Sequence, residues 1–249
     1  MTRRLPAVLL ALGLLTGAGA CGGGSDERPP PKNATTIRVD GTVVNAIMRP
    51  PSQSVTGSDE LVTVLFLHGQ SYTSRIWDDR KILDPVALAG WRAMSVDLPG
   101  YGETPKLPDD GGSTISPGTW LRELVKKLGG PGRVVIVSPS MSGTYSLGYL
   151  EQYPEDQLLG FVPVAPVGID DVERPKDAAP ISTMAIWGSE DPSYTQARDA
   201  HLLEQMRAPE GAAQSQVIEG ASHACYDDEP IEFTSILLSF LRSLDTRSS

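Results

Sequence analysis

The chain has 249 residues, 40% of them hydrophobic and 21% charged, and its formal net charge at pH 7 is −10. The composition is that of a globular protein, and the length suits one α/β domain with a large core. The negative charge, with no basic cluster larger than the pair Lys126 and Lys127, argues against nucleic-acid binding because phosphate backbones are repelled. Two cysteines are too few for a disulfide framework.

The first 20 residues have the pattern of an export signal. Arg3 and Arg4 precede an apolar stretch, residues 5–15, that is too short to span a bilayer, and small residues then lead to Cys21. This arrangement resembles a bacterial lipobox, in which the signal peptide is removed just before a lipidated cysteine. It predicts an exported protein tethered by lipid alone to the outer face of the cell membrane. A secreted protein, with an ordinary signal and Cys21 present by chance, is the alternative.

A glycine- and proline-rich segment separates this signal from the rest of the chain. Residues 21–34 contain no periodic apolar pattern, which is typical of a tether. No internal repeat and no second linker follows. We therefore predict a signal peptide over residues 1–20, a flexible tether over 21–34 and one folded domain over 35–249.

Strand and helix signals alternate along the predicted domain. The predicted strands are 36–40, 42–48, 61–69, 91–100, 133–138, 159–167, 181–191 and 216–218. The predicted helices are 79–90, 115–129, 141–153, 193–207 and 230–244. Strands separated by helices indicate a mostly parallel central sheet with helices on both faces. In such sheets the chemistry lies beyond the carboxyl ends of the strands.

Three alternating serines, Ser138, Ser140 and Ser142, lie where the strand predicted over 133–138 gives way to a helix. A serine nucleophile on a sharp strand-to-helix turn requires small residues two positions before and after it, and the usual pattern is G-x-S-x-G. Ser140 has serine at both positions, whereas Ser138 and Ser142 each have a larger residue at one of them. Ser140 is therefore the candidate nucleophile, and a helix N-cap formed by one serine is the alternative.

A serine hydroxyl needs a histidine to accept its proton and a carboxylate to orient that histidine. The chain has three histidines. His223 follows the last predicted strand and is the candidate base, since His201 falls inside a predicted helix and His68 precedes the nucleophile in the chain.

The carboxylate is expected between the serine and the histidine, at the end of a strand. Asp191 meets this requirement, and its neighbour Glu190 meets it equally well on spacing. Asp170 and Asp171, in a looser loop after another strand, also stay open. The chain order Ser, Asp, His is that of α/β-hydrolases.

Acyl transfer also requires donors for the oxygen that becomes negatively charged. The backbone N–H of Met141, directly after the candidate nucleophile, is one expected donor. The N–H of Gln70, in the loop after the strand 61–69, is the other. The sequence DLPGYGETP, residues 97–105, is a further turn that recurs in this fold.

Together these motifs resemble the α/β-hydrolase domain-containing protein 14 family over most of residues 60–243. The resemblance rests on LFLHGQSYTSRIW, VDLPGYGETP, VVIVSPSMSGTYSL, GFVPVAP and GASHACYDDEP. It implies an α/β-hydrolase fold and carries the triad over to Ser140, Asp191 and His223. It also implies hydrolysis of small acyl esters, with acyl transfer from amines or to thiols as alternatives using the same triad. The leader is a departure, because familiar members are intracellular.

Other features limit the prediction further. Cys225 is either a redox-sensitive thiol or a small buried apolar residue. Neither a metal nor a nucleotide cofactor is expected, because no H-E-x-x-H, paired CxxC, P-loop or G-x-G-x-x-G occurs. The segment 167–180 is short and charged, contains proline and has no apolar periodicity, so no substantial lid is expected. The prediction is a cofactor-free serine hydrolase for small acyl substrates, and its rival is a non-catalytic binding lipoprotein on the same scaffold.

Overall fold

An eight-stranded sheet forms the centre of the computed structural model, which describes residues 31, 33–52, 61–107 and 115–245. The strands are β1 Ala34–Val39, β2 Thr42–Arg49, β3 Thr63–Phe66, β4 Arg92–Val96, β5 Val134–Pro139, β6 Gly160–Val164, β7 Thr183–Gly188 and β8 Ala213–Ile218. Their order across the sheet is β1-β2-β4-β3-β5-β6-β7-β8. Only β2 runs against its neighbours, and the remaining neighbours are parallel. The predicted mostly parallel sheet is confirmed.

Helices cover both faces of this sheet. They are α1 Arg75–Asp79, α2 Leu83–Leu88, α3 Pro117–Lys127, α4 Gly143–Gln152, α5 Gln196–Gln205, α6 Cys225–Asp228 and α7 Pro230–Asp245. Buried side chains of α3, α4 and α5, with Trp120 among them, form one core cluster with the sheet. Side chains of α1, α2 and α7, including Trp77 and Phe233, form the second. The central strands are buried on both faces, which explains their continuous apolar sequences.

The structure corrects two of the predicted helices. The segment predicted as one helix over 79–90 contains the end of α1 and the whole of α2, because Lys81 has a φ of +60° and interrupts the helical backbone. The short helix α6 was not predicted. The predicted helix 141–153 begins with a 3₁₀ turn, Ser140–Ser142, before α4 starts at Gly143.

The segment between β6 and β7 contains one 3₁₀ turn, Ile169–Asp171, and no helical lid, as expected from the sequence. It is fastened to the domain by Arg174, which is 3% exposed. The Arg174 guanidinium donates to the carbonyl oxygens of Leu150, Gln205 and Ala179 at 2.9 to 3.2 Å. Burial lowers the pKa of Arg174 to about 10, which leaves it charged at neutral pH. A cation at the carboxyl ends of α4 and α5 complements their dipoles.

The described residues belong to one compact unit that spans Pro31–Ser249. The predicted signal peptide, Cys21 and nearly all of the predicted tether lie outside the described residues, so the predicted domain boundaries stay predictions. Over residues 33–52, 61–107 and 115–245, no helix has both the length and the apolar character needed to cross a membrane.

Candidate active site

Ser140 sits on a strained turn between β5 and α4. Its φ is +50°, a left-handed value that is uncommon for a residue with a side chain. The turn is held by a hydrogen bond of 3.0 Å from the Val167 N–H to the Ser140 carbonyl oxygen. It is also held by close packing at Gly143, where a Cβ would lie only 2.4 Å from the Val167 carbonyl oxygen. Such a turn lifts the Ser140 side chain above the carboxyl end of the sheet.

The other two serines of the motif form a buried hydroxyl chain beneath Ser140. Ser142 Oγ donates to the Pro139 carbonyl oxygen at 2.7 Å. Ser138 Oγ lies 3.0 Å from Ser142 Oγ and 2.7 Å from Ser146 Oγ. The Ser142 hydroxyl has one proton and donates it to the Pro139 carbonyl oxygen. Ser138 must therefore donate to Ser142, and Ser146 must donate to Ser138. The chain satisfies three buried hydroxyls and fixes the peptide that precedes Ser140.

The structure brings the three predicted triad residues together from three strand ends. His223 Nε2 lies 2.9 Å from Ser140 Oγ, and His223 Nδ1 lies 2.8 Å from Asp191 Oδ2. The Asp191 side chain is 1% exposed, whereas the His223 side chain is 43% exposed. The carboxylate is therefore shielded, while the imidazole reaches both the carboxylate and solvent. This is the geometry of a nucleophile, a base and an orienting acid.

Asp191 is held as an anion by its surroundings. Burial alone raises the pKa of its carboxyl, but hydrogen bonds from Ser193 and His223 outweigh burial, so the pKa lies below its ordinary value. The Ser193 N–H donates to Asp191 Oδ1 at 2.8 Å, which leaves Oδ2 for His223. Sequence reasoning did not single out Ser193, although an aspartate followed two residues later by a free N–H is the pattern of an Asx-turn.

The other carboxylates that the sequence left open lie elsewhere. The Glu190 N–H donates to the Ala221 carbonyl oxygen at 2.9 Å, and the side chain that reaches His223 is that of Asp191. Asp170 pairs with Arg198 at 3.0 Å on the surface, and Asp171 is exposed. The geometry therefore brings one of the four candidates to the histidine.

His68 has a supporting position. It is fully buried, and its Nε2 accepts a hydrogen bond of 3.0 Å from the Leu98 N–H. Nδ1 must therefore carry the proton, and it donates to the Gly69 carbonyl oxygen at 2.9 Å. Burial lowers the pKa of His68, which favours this neutral form. His68 thus links the loop after β3 to the loop after β4.

The two segments predicted to supply oxyanion donors flank Ser140. Residues 69–72 form a turn closed by a hydrogen bond of 3.1 Å from the Tyr72 N–H to the Gly69 carbonyl oxygen, and Gln70 lies inside it. A Cβ on Gly69 would lie 3.6 Å from Ser140 Cβ, so this turn packs directly against Ser140. Met141 is the second residue of the 3₁₀ turn, where a backbone N–H has no partner within the helix.

Cys225 is completely buried close to His223. Burial raises the pKa of its thiol to about 12, so the sulfur stays protonated and packs as an apolar group. Its position fits the apolar alternative. Within the part of the chain that the structure describes, no cluster of His, Cys, Asp and Glu has an arrangement suited to a metal ion.

Comparisons with known proteins agree with this fold. Residues 62–230 match the family model described as alpha/beta hydrolase fold. The chain belongs to the α/β-hydrolase family. The Rattus norvegicus protein described as "Putative protein-lysine deacylase ABHD14B" is 37% identical over 186 residues, which cover 73% of this chain and 84% of that protein. ABHD14A of Danio rerio is 36% identical over 184 residues, covering 73% and 65% of the two chains. The resemblance to the α/β-hydrolase domain-containing protein 14 family is confirmed.

Solved structures show the same architecture. A structure described as a predicted CIB-like hydrolase from Thermoplasma acidophilum is 26% identical, with a TM-score of 0.64 over 84% of this chain and 97% of its own. Esterase RhEst1 from Rhodococcus is 15% identical, with a TM-score of 0.64 over 85% of this chain and 99% of its own. The second likeness concerns the fold alone.

The loops that carry Asp191 and His223 meet at Gly188. A Cβ there would lie 2.2 Å from the carbonyl oxygens of both Ala221 and Ser222. We expect Gly188→Ala to lower the free energy of unfolding by about 1–3 kcal/mol, because the two loops must separate. Urea unfolding monitored by fluorescence measures this. Gly132→Ala is the matched control, because nothing lies within 4 Å of its added Cβ; equal stabilities of the two variants would contradict the prediction.

Proposed function

We propose that the protein is a serine hydrolase that cleaves small acyl esters through an acyl-enzyme on Ser140. The observation that carries the proposal is the continuous hydrogen-bonded path from Ser140 Oγ through His223 to Asp191, with distances of 2.9 and 2.8 Å. Membership of the α/β-hydrolase family supports it. In this path the serine can lose a proton and the resulting imidazolium faces a buried carboxylate.

The reaction follows from these contacts. Ser140 Oγ attacks the ester carbonyl while its proton moves to His223 Nε2, and the new oxyanion is stabilised by the N–H groups of Gln70 and Met141. Asp191 stabilises the imidazolium and fixes the tautomer that can accept the proton. The tetrahedral intermediate then expels the alcohol, which takes the proton from His223. Water repeats the sequence on the acyl-enzyme and releases the acid and Ser140.

A second candidate function uses the same residues on a different acyl donor. The rat relative's name describes a protein-lysine deacylase, and the chain covers 84% of that relative. An acyl-lysine amide would be attacked by Ser140 as an ester is, with His223 protonating the leaving amine. Hydrolysis of an acetyl-lysine peptide, compared with that of an acetate ester, separates the two functions. The first candidate remains the ester, because its alkoxide is the better leaving group and the site is open to solvent at His223.

The rival role, a binding protein without catalysis, fits the site less well. A binding protein has no need of a buried carboxylate that orients a half-exposed histidine toward a strained serine. We further propose that the domain works outside the cell, anchored through lipid on Cys21, since the leader resembles that of a lipoprotein.

Ser140→Ala tests the nucleophile. We expect kcat for p-nitrophenyl acetate to fall about 10⁴-fold or more, because the acyl-enzyme can no longer form. Ser138→Ala and Ser142→Ala serve as controls, and a far smaller loss is expected because their hydroxyls bond to each other, to Ser146 and to the Pro139 carbonyl oxygen, and none of them bonds to His223. Steady-state kinetics on the three purified variants measures this. Retention of most activity by Ser140→Ala would refute the assignment.

Asp191→Asn and Glu190→Gln test the acid. Asp191→Asn preserves the shape of the side chain, but an amide stabilises the wrong histidine tautomer, so kcat should fall about 10⁴-fold. Glu190→Gln should be nearly neutral, since the contact to His223 is made by Asp191. Both variants are assayed with p-nitrophenyl acetate, and the opposite ranking would assign the acid to Glu190.

The short segment between β6 and β7 predicts a preference for short acyl groups. A buried methylene gains about 0.8 kcal/mol only where an apolar wall covers it. Residues 167–180 supply no helical lid that could form such a wall. We expect kcat/KM to peak between acetate and butyrate in a series of p-nitrophenyl esters below their micelle limits. A maximum at decanoate or beyond would reveal an acyl tunnel and contradict this expectation.

A further inference from the structure

The short helix α6 contacts the turn 69–72, which carries the Gln70 N–H. Tyr72 Oη donates to Asp227 Oδ2 at 3.1 Å, across 155 positions of sequence. Asp227 Oδ1 in turn accepts from the exposed Arg80 guanidinium, at the end of α1. Both carboxylate oxygens of Asp227 therefore accept hydrogen bonds from the segment that follows β3. Tyr72 in the turn donates to one oxygen, and Arg80 at the end of α1 donates to the other.

Tyr226, which precedes Asp227 in α6, packs against the same turn. Tyr226 is 1% exposed, and its ring stacks on Trp77 with centroids 4.7 Å apart. It also meets the Tyr72 ring edge-on at 5.8 Å. Tyr226 Oη lies 3.3 Å from the point that a Gly69 Cβ would occupy. The two ends of the turn, Gly69 and Tyr72, are thus both contacted by α6.

These contacts fix the position of the residue between them. The Tyr72 N–H closes the turn onto the Gly69 carbonyl oxygen, and the His68 ring donates to the same oxygen at 2.9 Å. With both ends held, the peptide of Gln70 has little freedom to move away from Ser140. A donor displaced by about 1 Å loses much of its effect on a developing oxyanion.

α6 is also tied to the loop that carries the base. It begins two residues after His223, and the Ser222 N–H donates to Asp228 Oδ2 at 2.8 Å. Asp227 therefore contacts the turn 69–72, and Asp228 contacts the histidine loop. The short helix α6 thus connects the loop of the histidine to the turn of the predicted oxyanion donor.

We propose that Tyr72 and Asp227 are positioning residues, forming a latch that holds the Gln70 N–H in place for the oxyanion; this inference rests on the proposed function. Neither side chain needs to touch the substrate. The latch acts by favouring the transition state over the bound ester, so it should affect kcat and the binding of oxyanion mimics rather than ester binding.

The environment of Tyr72 keeps it a donor. Burial, and then the hydrogen bond to Asp227, raise the pKa of its hydroxyl above the ordinary value, so it stays protonated wherever an esterase of this type works. Phenylalanine preserves the ring and its contact with Tyr226 while removing only this donor. Alanine at position 227 removes both oxygens that accept hydrogen bonds from Tyr72 and Arg80.

Tyr72→Phe, Asp227→Ala and the double variant test the latch. We expect each single variant to lower kcat/KM for p-nitrophenyl acetate about 10-fold to 100-fold with KM within two-fold. The Ki of 1,1,1-trifluoro-2-butanone, which forms a tetrahedral adduct with an oxyanion, should rise by the same factor. The double variant should lose no more than the worse single variant, because both changes break one contact.

Glu229→Gln is the matched control, since it removes one exposed negative charge next to α6 and should leave both constants unchanged. A folded Tyr72→Phe that retains kcat/KM within two-fold would overturn the latch, and so would a loss of activity with unchanged Ki. Tyr72→Phe suffices for this decision should Asp227→Ala fail to fold. Ser140→Ala, assayed alongside, separates the two proposals: if it is inactive, a failure concerns the latch alone, and if it is active, the proposed function and the latch both fall.

Discussion

The left-handed backbone at Ser140 is the constraint on which the site depends. A residue with a side chain in this conformation stores about 1–3 kcal/mol of strain, and the surrounding structure must hold it there. The buried strand β5 fixes the direction in which the backbone enters the turn. The hydroxyl chain through Ser142 and Ser138 fixes the peptide before the turn. The Val167 N–H and the close packing at Gly143 fix the peptides after it. Contacts on both sides of the turn together hold Ser140 in this conformation.

The same constraint explains why serines can replace the two glycines of the usual motif. Small residues are needed where strand and helix pass close together, and a serine fits only if its hydroxyl finds a partner. Here each hydroxyl of the chain bonds to the next, and the last bonds to the Pro139 carbonyl oxygen. Glycine is kept at position 143, where a side chain would meet the Val167 backbone. The motif therefore keeps its geometry with a polar rather than an empty interior.

Around this turn, the site is assembled from strand ends that lie far apart in the chain. Strands β4 and β5 lie on opposite sides of β3, so the order of the strands reverses there. Open α/β sheets bind ligands at such a switch point. Ser140 follows β5, the turn 69–72 follows β3, and the loops of Asp191 and His223 follow β7 and β8. Gly188 lets the last two loops touch, and α6 joins the histidine loop to the turn 69–72.

The sequence alone predicted the parts of this arrangement that local patterns encode. Continuous apolar runs predicted the buried strands, and the spacing of small residues singled out Ser140. Sequence spacing could not separate Asp191 from Glu190, because adjacent residues differ only in the direction of their side chains. The split between α1 and α2 depends on one left-handed residue, Lys81, which no apolar pattern reveals. The contact of Tyr72 with Asp227 joins residues 155 positions apart and follows only from the folded chain.

The proposed function requires that His223 activate Ser140 for attack on an acyl or phosphonyl group. Labelling with a fluorophosphonate, followed by mass spectrometry of the digested protein, tests this requirement. We expect one adduct per chain, located on Ser140, and a rate of labelling that falls by orders of magnitude in His223→Ala. An unlabelled Ser140, or labelling that proceeds equally fast in His223→Ala, would contradict it.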